Sequence, residues 1–104
     1  MPSYKINLLP EAREDIINAT DYLNLQRSQL GNKFFIELAE VIDMLQTNPL
    51  IFQKKYKNFR QAPIKKHSFT VHYLIEEKQQ NVIIFAVLHT SQNPLVWKKR
   101  GDEL

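Results

Sequence analysis

Val82-Ile83-Ile84-Phe85-Ala86-Val87-Leu88-His89 is the stretch on which the fold turns. Its seven apolar residues, rich in β-branched and aromatic side chains, read as a strand buried on both faces. The run stops at His89, and Thr90-Ser91-Gln92-Asn93 then makes a polar turn closed by Pro94. Beyond it come Trp97 and the cations Lys98-Lys99-Arg100. A buried strand that brings an imidazole, two hydroxyls and two amides to one sheet edge, beside a basic segment, suits a surface that meets a polyanion.

Upstream, Phe69, Val71, Tyr73 and Ile75 alternate with Ser68, Thr70, His72 and Leu74, so a second strand precedes the polar turn Glu76–Asn81. Phe59 to Lys66 reads as a shorter strand that Pro63 confines to a sheet edge. Leu50 to Asn58 reads as a loop of mixed apolar and basic residues. At the other end of the chain, Tyr4, Ile6 and Leu8 alternate with Lys5 and Asn7, predicting a short strand.

Pro10 suits a first helical turn, and Glu11, Glu14 and Asp15 follow where the helix dipole favours anions. Ala12, Ile16, Ala19 and Leu23 recur at helical spacing and predict a helix over roughly 10–27. Gly31-Asn32 is read as its break. A second helix, roughly 33–47, is predicted by Phe34/Phe35, Leu38, Val41/Ile42 and Leu45, and Asn48-Pro49 stops it. Two adjacent amphipathic helices form an antiparallel hairpin. Its core side would carry Ile16, Leu23, Phe34 or Phe35, Leu38 and Leu45. The expected architecture is α+β: an N-terminal strand, a two-helix hairpin, then a three-stranded antiparallel meander, all in one small sheet. Residues 1–104 form a single domain, with a flexible basic tail expected from about 95.

With no cysteine, the chain has no disulfides or thiolate metal sites, which fits a reducing compartment. Its N-terminus lacks the long apolar core of a signal peptide, and the longest apolar run is too short to span a bilayer. A cytoplasmic location with no membrane association is the expectation. Two glycines are too few for a glycine-rich phosphate loop. The charges are segregated: residues 1–48 carry seven acids and four bases, whereas residues 49–104 carry ten bases and four acids. No carboxylate lies between Met44 and Ile75, a stretch that holds Lys54, Lys55, Lys57, Arg60, Lys65 and Lys66. Such asymmetry points to an anionic partner for the second half, against the plainer reading of a solvated basic face.

His67, His72 and His89 show no metal-ligand spacing, so no metal and no cofactor is expected. The pairs Glu14-Asp15 and Glu76-Glu77 read as solvated charges rather than acid–base machinery. What remains is binding, or metal-independent phosphate chemistry. Were the chain a nuclease, His89 or His72 would exchange protons near neutrality while Lys65, Lys66 and Arg60 held phosphate oxygens. His89 also suits a strand end bonded to a turn backbone, and Trp97 suits packing over a sheet end as well as stacking on a base. Tyr56 and Phe59, interleaved with Lys55, Lys57 and Arg60, fit nucleic-acid contact, protein contact or a pinned loop.

Leu9-Pro10-Glu11-Ala12, Asn48-Pro49, Phe69-Thr-Val-His-Tyr73 and Val87-Leu-His89 with Asn93-Pro94, in a β-α-α-β-β-β order, resemble the RelE/ParE superfamily of toxins from type II toxin–antitoxin modules. The ParE-like branch is the nearer match, over nearly the whole chain. The resemblance implies a plasmid-stabilisation type of growth inhibitor, neutralised in a toxin–antitoxin hetero-oligomer by a cognate antitoxin whose extended segment wraps it. For the ParE-like branch it implies inhibition of DNA gyrase by binding, without catalysis. For the RelE-like branch it implies an endoribonuclease that cuts messenger RNA on the ribosome. A degenerate toxin that keeps only antitoxin binding is the third reading. RelE-type cutters resemble one another in an arginine where this chain has Thr70, and many relatives carry another where it has Gln92. Trp97 stands nearest the place of a RelE-type tyrosine. These departures favour the binder, whose expected target contacts are Lys65, Lys66, Trp97, Lys98, Lys99 and Arg100.

Overall fold

A computed structural model describes residues 3–104. Strand β1 (Lys5–Leu8) leads into helix α1 (Pro10–Gln26), and helix α2 (Leu30–Thr47) returns antiparallel to it. Strands β2 (Lys54–Tyr56), β3 (Phe59–Ile64), β4 (Phe69–Glu76) and β5 (Asn81–His89) follow, and helix α3 (Pro94–Asp102) closes the chain. The five strands form one sheet in the order β1-β5-β4-β3-β2. Only β1 and β5 run parallel, with Ile6 opposite Val82 and Leu8 opposite Ile84. The α1–α2 hairpin lies between them in sequence, as a parallel pairing requires a long connection.

Both long helices end where their local chemistry says. Pro10 occupies the first turn of α1 with Glu11 beside it. Gln29, in the left-handed region at φ 70°, turns the chain into α2, so the break falls before Gly31. Gly31 instead lies inside α2, where a Cβ would run into the Thr20 carbonyl and the Asn24 side chain. Its N–H donates to Asn24 Oδ1 at 2.8 Å. The glycine is there to let two helices approach, not to stop one. Asn48-Pro49 ends α2 as its sequence predicts.

The helical hairpin buries Ala12, Ile16, Ala19 and Leu23 of α1 and Phe34, Leu38, Val41 and Leu45 of α2. These meet Phe69, Val71, Tyr73, Val82, Ile84 and Val87 on the near face of the sheet. Each large buried side chain contributes about 1.5–3 kcal/mol. Of the two adjacent phenylalanines, Phe34 is fully buried and Phe35 is 55% exposed. The Tyr73 hydroxyl donates to the Pro49 carbonyl at 2.6 Å, so this buried ring also ties down the chain leaving α2.

A bulge sits in the middle of β5. His72 pairs with Ala86 and Tyr73 with Ile84, leaving Phe85 as an extra residue. The alternation therefore changes phase there. Val82 and Ile84 face the helices before the bulge and Val87 faces them after it, whereas Phe85, Ala86 and Leu88 turn to the far face. The unbroken apolar run needed for this is what made β5 readable as a strand buried on both sides.

Candidate functional site

The far face of the sheet is covered in large part by α3. The segment expected to be a flexible tail from about 95 folds as a helix because its ends are supplied. Asn93 Oδ1 accepts from the Leu95 N–H at 3.0 Å, Pro94 fits the first turn, and Lys99 and Arg100 lie in the last. Trp97, only 8% exposed, packs with Phe59, Phe85, Ala86 and Leu88 as a second apolar cluster. At Gly101 a Cβ would meet the Phe59 ring, so glycine sets how near the helix comes to β3.

Arg100 fastens this helix across the sheet. Its guanidinium donates to both carboxylate oxygens of Asp15, at 2.5 and 3.1 Å, and to the Phe85 carbonyl at 3.3 Å. Asp15 in turn accepts from the Val87 N–H at 3.0 Å. The carbonyl of the bulged Phe85 and the N–H of Val87 just beyond it are thus bonded by an α3 base and an α1 acid. The Arg100 pKa is raised, first by the hydrogen bond to Asp15. Asp15 is therefore no solvated charge, and Arg100 is no free cation.

His72 lies beneath α3. Its ring stacks on Trp97 with centroids 4.9 Å apart and planes 20° apart. Burial, with Arg100 adding to it, lowers its pKa to about 4, and its Nδ1 has no hydrogen-bond partner. It is a neutral packing group. Arg60 donates to the Phe52 carbonyl at 2.5 Å and is likewise committed to the fold. The uncovered part of the far face is a hollow lined by Gln61, Pro63 and Thr70 of the sheet with Ile51, Phe52, Gln53 and Lys55. Lys55 is the one ionisable side chain in that lining.

His89 stands at a separate place, the end of β5, half-exposed. Its Nδ1 accepts from the Ser91 N–H at 3.0 Å, with Ser91 Oγ 2.7 Å away, so the neutral ring carries its proton on Nε2. Phe69 meets it edge-on at 5.2 Å. Asn18 and Tyr22 of α1, with Ser91, Gln92 and Arg100, line a cleft of about 480 Å³ beside it. Its bond to the Ser91 N–H is the turn-backbone contact that a strand-end histidine makes. His67 is buried under Phe34, with Glu37 at 3.5 Å.

Lys65 and Lys66 occupy the β3–β4 turn, beside Glu37, Glu40, Val41 and Met44 of α2. The residues singled out in the sequence are consequently not brought together. His72, Trp97 and Arg100 are taken up by packing; His89 ends β5, and Lys65 and Lys66 follow β3 at that same end of the sheet, with β4 lying between the two strands. Lys98 lies over the Tyr56 ring, and Lys99 is exposed on α3. Among the described residues no three His, Asp or Glu side chains converge as metal ligands would. No helix of the described residues is long and apolar enough to cross a membrane. Reading the sequence missed Asp15 and Gln61, and named Lys55 only among the cations interleaved with Tyr56 and Phe59. For Asp15 the signal was there, an acid one helical turn past the apolar Ala12, beside Ile16.

Residues 6–94 match the sequence profile of the ParE toxin of the type II toxin–antitoxin system parDE. Three solved structures share the fold at low identity. The toxin–antitoxin complex RelBE2 from Mycobacterium tuberculosis is 18% identical, with TM-score 0.63, over 84% of this chain and 98% of that one. The chromosomal ParDE system from P. aeruginosa is 12% identical, with TM-score 0.73, over 86% and 98%. The isolated E. coli RelE toxin is 10% identical, with TM-score 0.57, over 98% and 100%. A comparison with curated proteins finds no match. With the profile covering most of its length, this chain belongs to the ParE toxin family of type II toxin–antitoxin systems.

Proposed function

We propose that this toxin acts by binding rather than by catalysis, with DNA gyrase as its cellular target and a cognate antitoxin as its silencer. The observation that carries this reading is the chemistry of the far face. Its open hollow offers Gln61, Thr70 and Pro63 with a single lysine, and the imidazole nearest to it is sealed beneath Trp97. RNA cleavage without a metal requires one group to take a proton from the 2′-hydroxyl and another to give one to the leaving oxygen. His72, held neutral to about pH 4, and Arg60, bonded to a carbonyl, are poor candidates for that pair.

The open edge of the sheet suits an extended antitoxin segment. β2 pairs only with Phe59 and Arg60, so the outer side of β3 from Gln61 to Ile64 has no neighbouring strand among the described residues. Next to it, Val41, Met44, Ile51, Phe52 and Pro63 line an apolar groove bordered by Lys65 and Lys66 on the sheet side and by Glu37 and Glu40 on α2. An extended segment with alternating apolar and acidic side chains suits both features.

His89 favours the second reading, a ribosome-dependent endoribonuclease, because its Nε2 is the uncommitted imidazole nitrogen in a cleft. Purified toxin added to a gyrase supercoiling reaction and, separately, to ribosomes programmed with messenger decides between them. Inhibited supercoiling with intact messenger is the expected outcome. Codon-phased cuts with normal supercoiling would reject the gyrase reading.

A further inference from the structure

Two lysine clusters far apart in the chain meet at one corner of the molecule. The β2–β3 hairpin carries Lys54, Lys55 and Lys57 with no carboxylate among them, and α3 carries Lys98 and Lys99. Tyr56 joins the two. Its ring meets Trp97 edge-on at 5.9 Å and Phe59 at 5.9 Å. Lys98 Nζ lies 4.9 Å from the ring centroid and Lys57 Nζ 5.3 Å. Lys57 also bonds Asp102 at 2.7 Å, which ties the hairpin to the end of α3. Neither Lys55 nor Lys98 pairs with a carboxylate among the described residues. The Lys98 ammonium is held over this rigid aromatic base, and Lys55, the residue before Tyr56, lines the hollow; both keep their charge for something outside the molecule.

We propose that this corner, made by Lys55, Tyr56, Lys57 and Lys98, docks on the phosphate backbone of a nucleic-acid duplex. The reason for a duplex is what the corner lacks. Unpaired bases are held chiefly by stacking on open aromatic faces. Trp97 is 8% exposed with one face against His72, and Tyr56 is flanked by two rings and two amines. Base edges are read best by a bidentate arginine. Arg60 is bound to the Phe52 carbonyl and Arg100 to Asp15. Lysines alone remain, and these contact phosphates as point charges without reading sequence. The inference goes beyond the gyrase reading and stands or falls without it, since binding is measured in the absence of any protein partner.

The test uses the full chain and labelled 20-base-pair duplexes of two unrelated sequences, followed by fluorescence anisotropy. DNA duplex, RNA duplex and single-stranded DNA form three arms. Binding is expected to be indifferent to sequence and to weaken with salt at a log–log slope on the order of 2–4. K55E/K98E should weaken duplex binding at least tenfold. K65E/K66E, which changes net charge by the same amount at the far end of β3, should change it less than threefold. Trp97 emission and a urea midpoint check that each variant folds. If K55E/K98E does not, K55Q/K98Q should still lower the salt slope by about 2. Equal losses in the two reversals would show a response to net charge alone and overturn the proposal. So would tighter binding to single strands than to duplex, or a discrimination between the two sequences. Binding to neither the DNA nor the RNA duplex would overturn it as well.

Discussion

Among single residues, His72 has the sharpest consequence. Its unfolded value is 6.5 and its folded value is about 4, lowered by burial first and by Arg100 second. A base whose folded pKa is depressed contributes stability that is complete above pH 6.5 and is lost as pH falls towards 4. Over that window the unfolded chain binds a proton that the folded chain refuses, a difference of about 3 kcal/mol. Urea unfolding at pH 7 and pH 4.5 should show this drop, and His72→Phe should remove most of it while the carboxylate contributions remain. An unchanged pH dependence in the variant would mean that the ring is hydrated in solution. The sequence placed His72 on the correct side of β4 by alternation. It did not show the cover, because burial there is decided by Trp97, twenty-five residues on.

At the level of elements, legibility followed amphipathicity. α1 and α2 repeat apolar residues every three or four positions against one sheet face, and β4 alternates, so their patterns encode their packing. α3 is nine residues long and buries chiefly Trp97 and Gly101, with Leu95, Val96 and Trp97 contiguous, so no period could announce it. β2 is three residues, two of them lysine, and the bulge at Phe85 leaves no mark in a run that is apolar throughout.

What fastens α3 can be tested as a unit. Arg100→Met should cost about 1–3 kcal/mol by leaving Asp15 with the Val87 N–H alone, and Asp15→Asn should cost a similar amount. Because both touch the same bulge, the double variant should be less destabilised than the sum by at least about 0.5 kcal/mol. Additive losses by denaturant titration would show that the two side chains act separately. Charge reversal at Arg100 would then report on folding, and loss of toxicity in such a variant would say nothing about a target surface.

For the whole molecule, the segregation of charge along the chain becomes a segregation in space with two distinct basic regions. One is the lysine corner on Tyr56; the other is Lys65 and Lys66 bordering the apolar groove at the open side of β3. If the groove seats an acidic, apolar antitoxin segment, its affinity should fall as salt rises, through screening of the two rim lysines. K65E/K66E should weaken antitoxin binding by about tenfold or more, since like charges now face each other across the contact. Met44→Glu should weaken it further by placing an unpaired charge against the apolar part of the segment. K55E/K98E should leave it within about threefold. Isothermal titration with co-purified and separated antitoxin reads all three variants. The informative comparison is toxicity in cells that also express the antitoxin. If these two lysines serve the antitoxin and not the target, poor neutralisation should make K65E/K66E more toxic than the parent. A K65E/K66E variant that is both neutralised normally and less toxic would assign these lysines to the cellular target and move the antitoxin's seat elsewhere on the sheet.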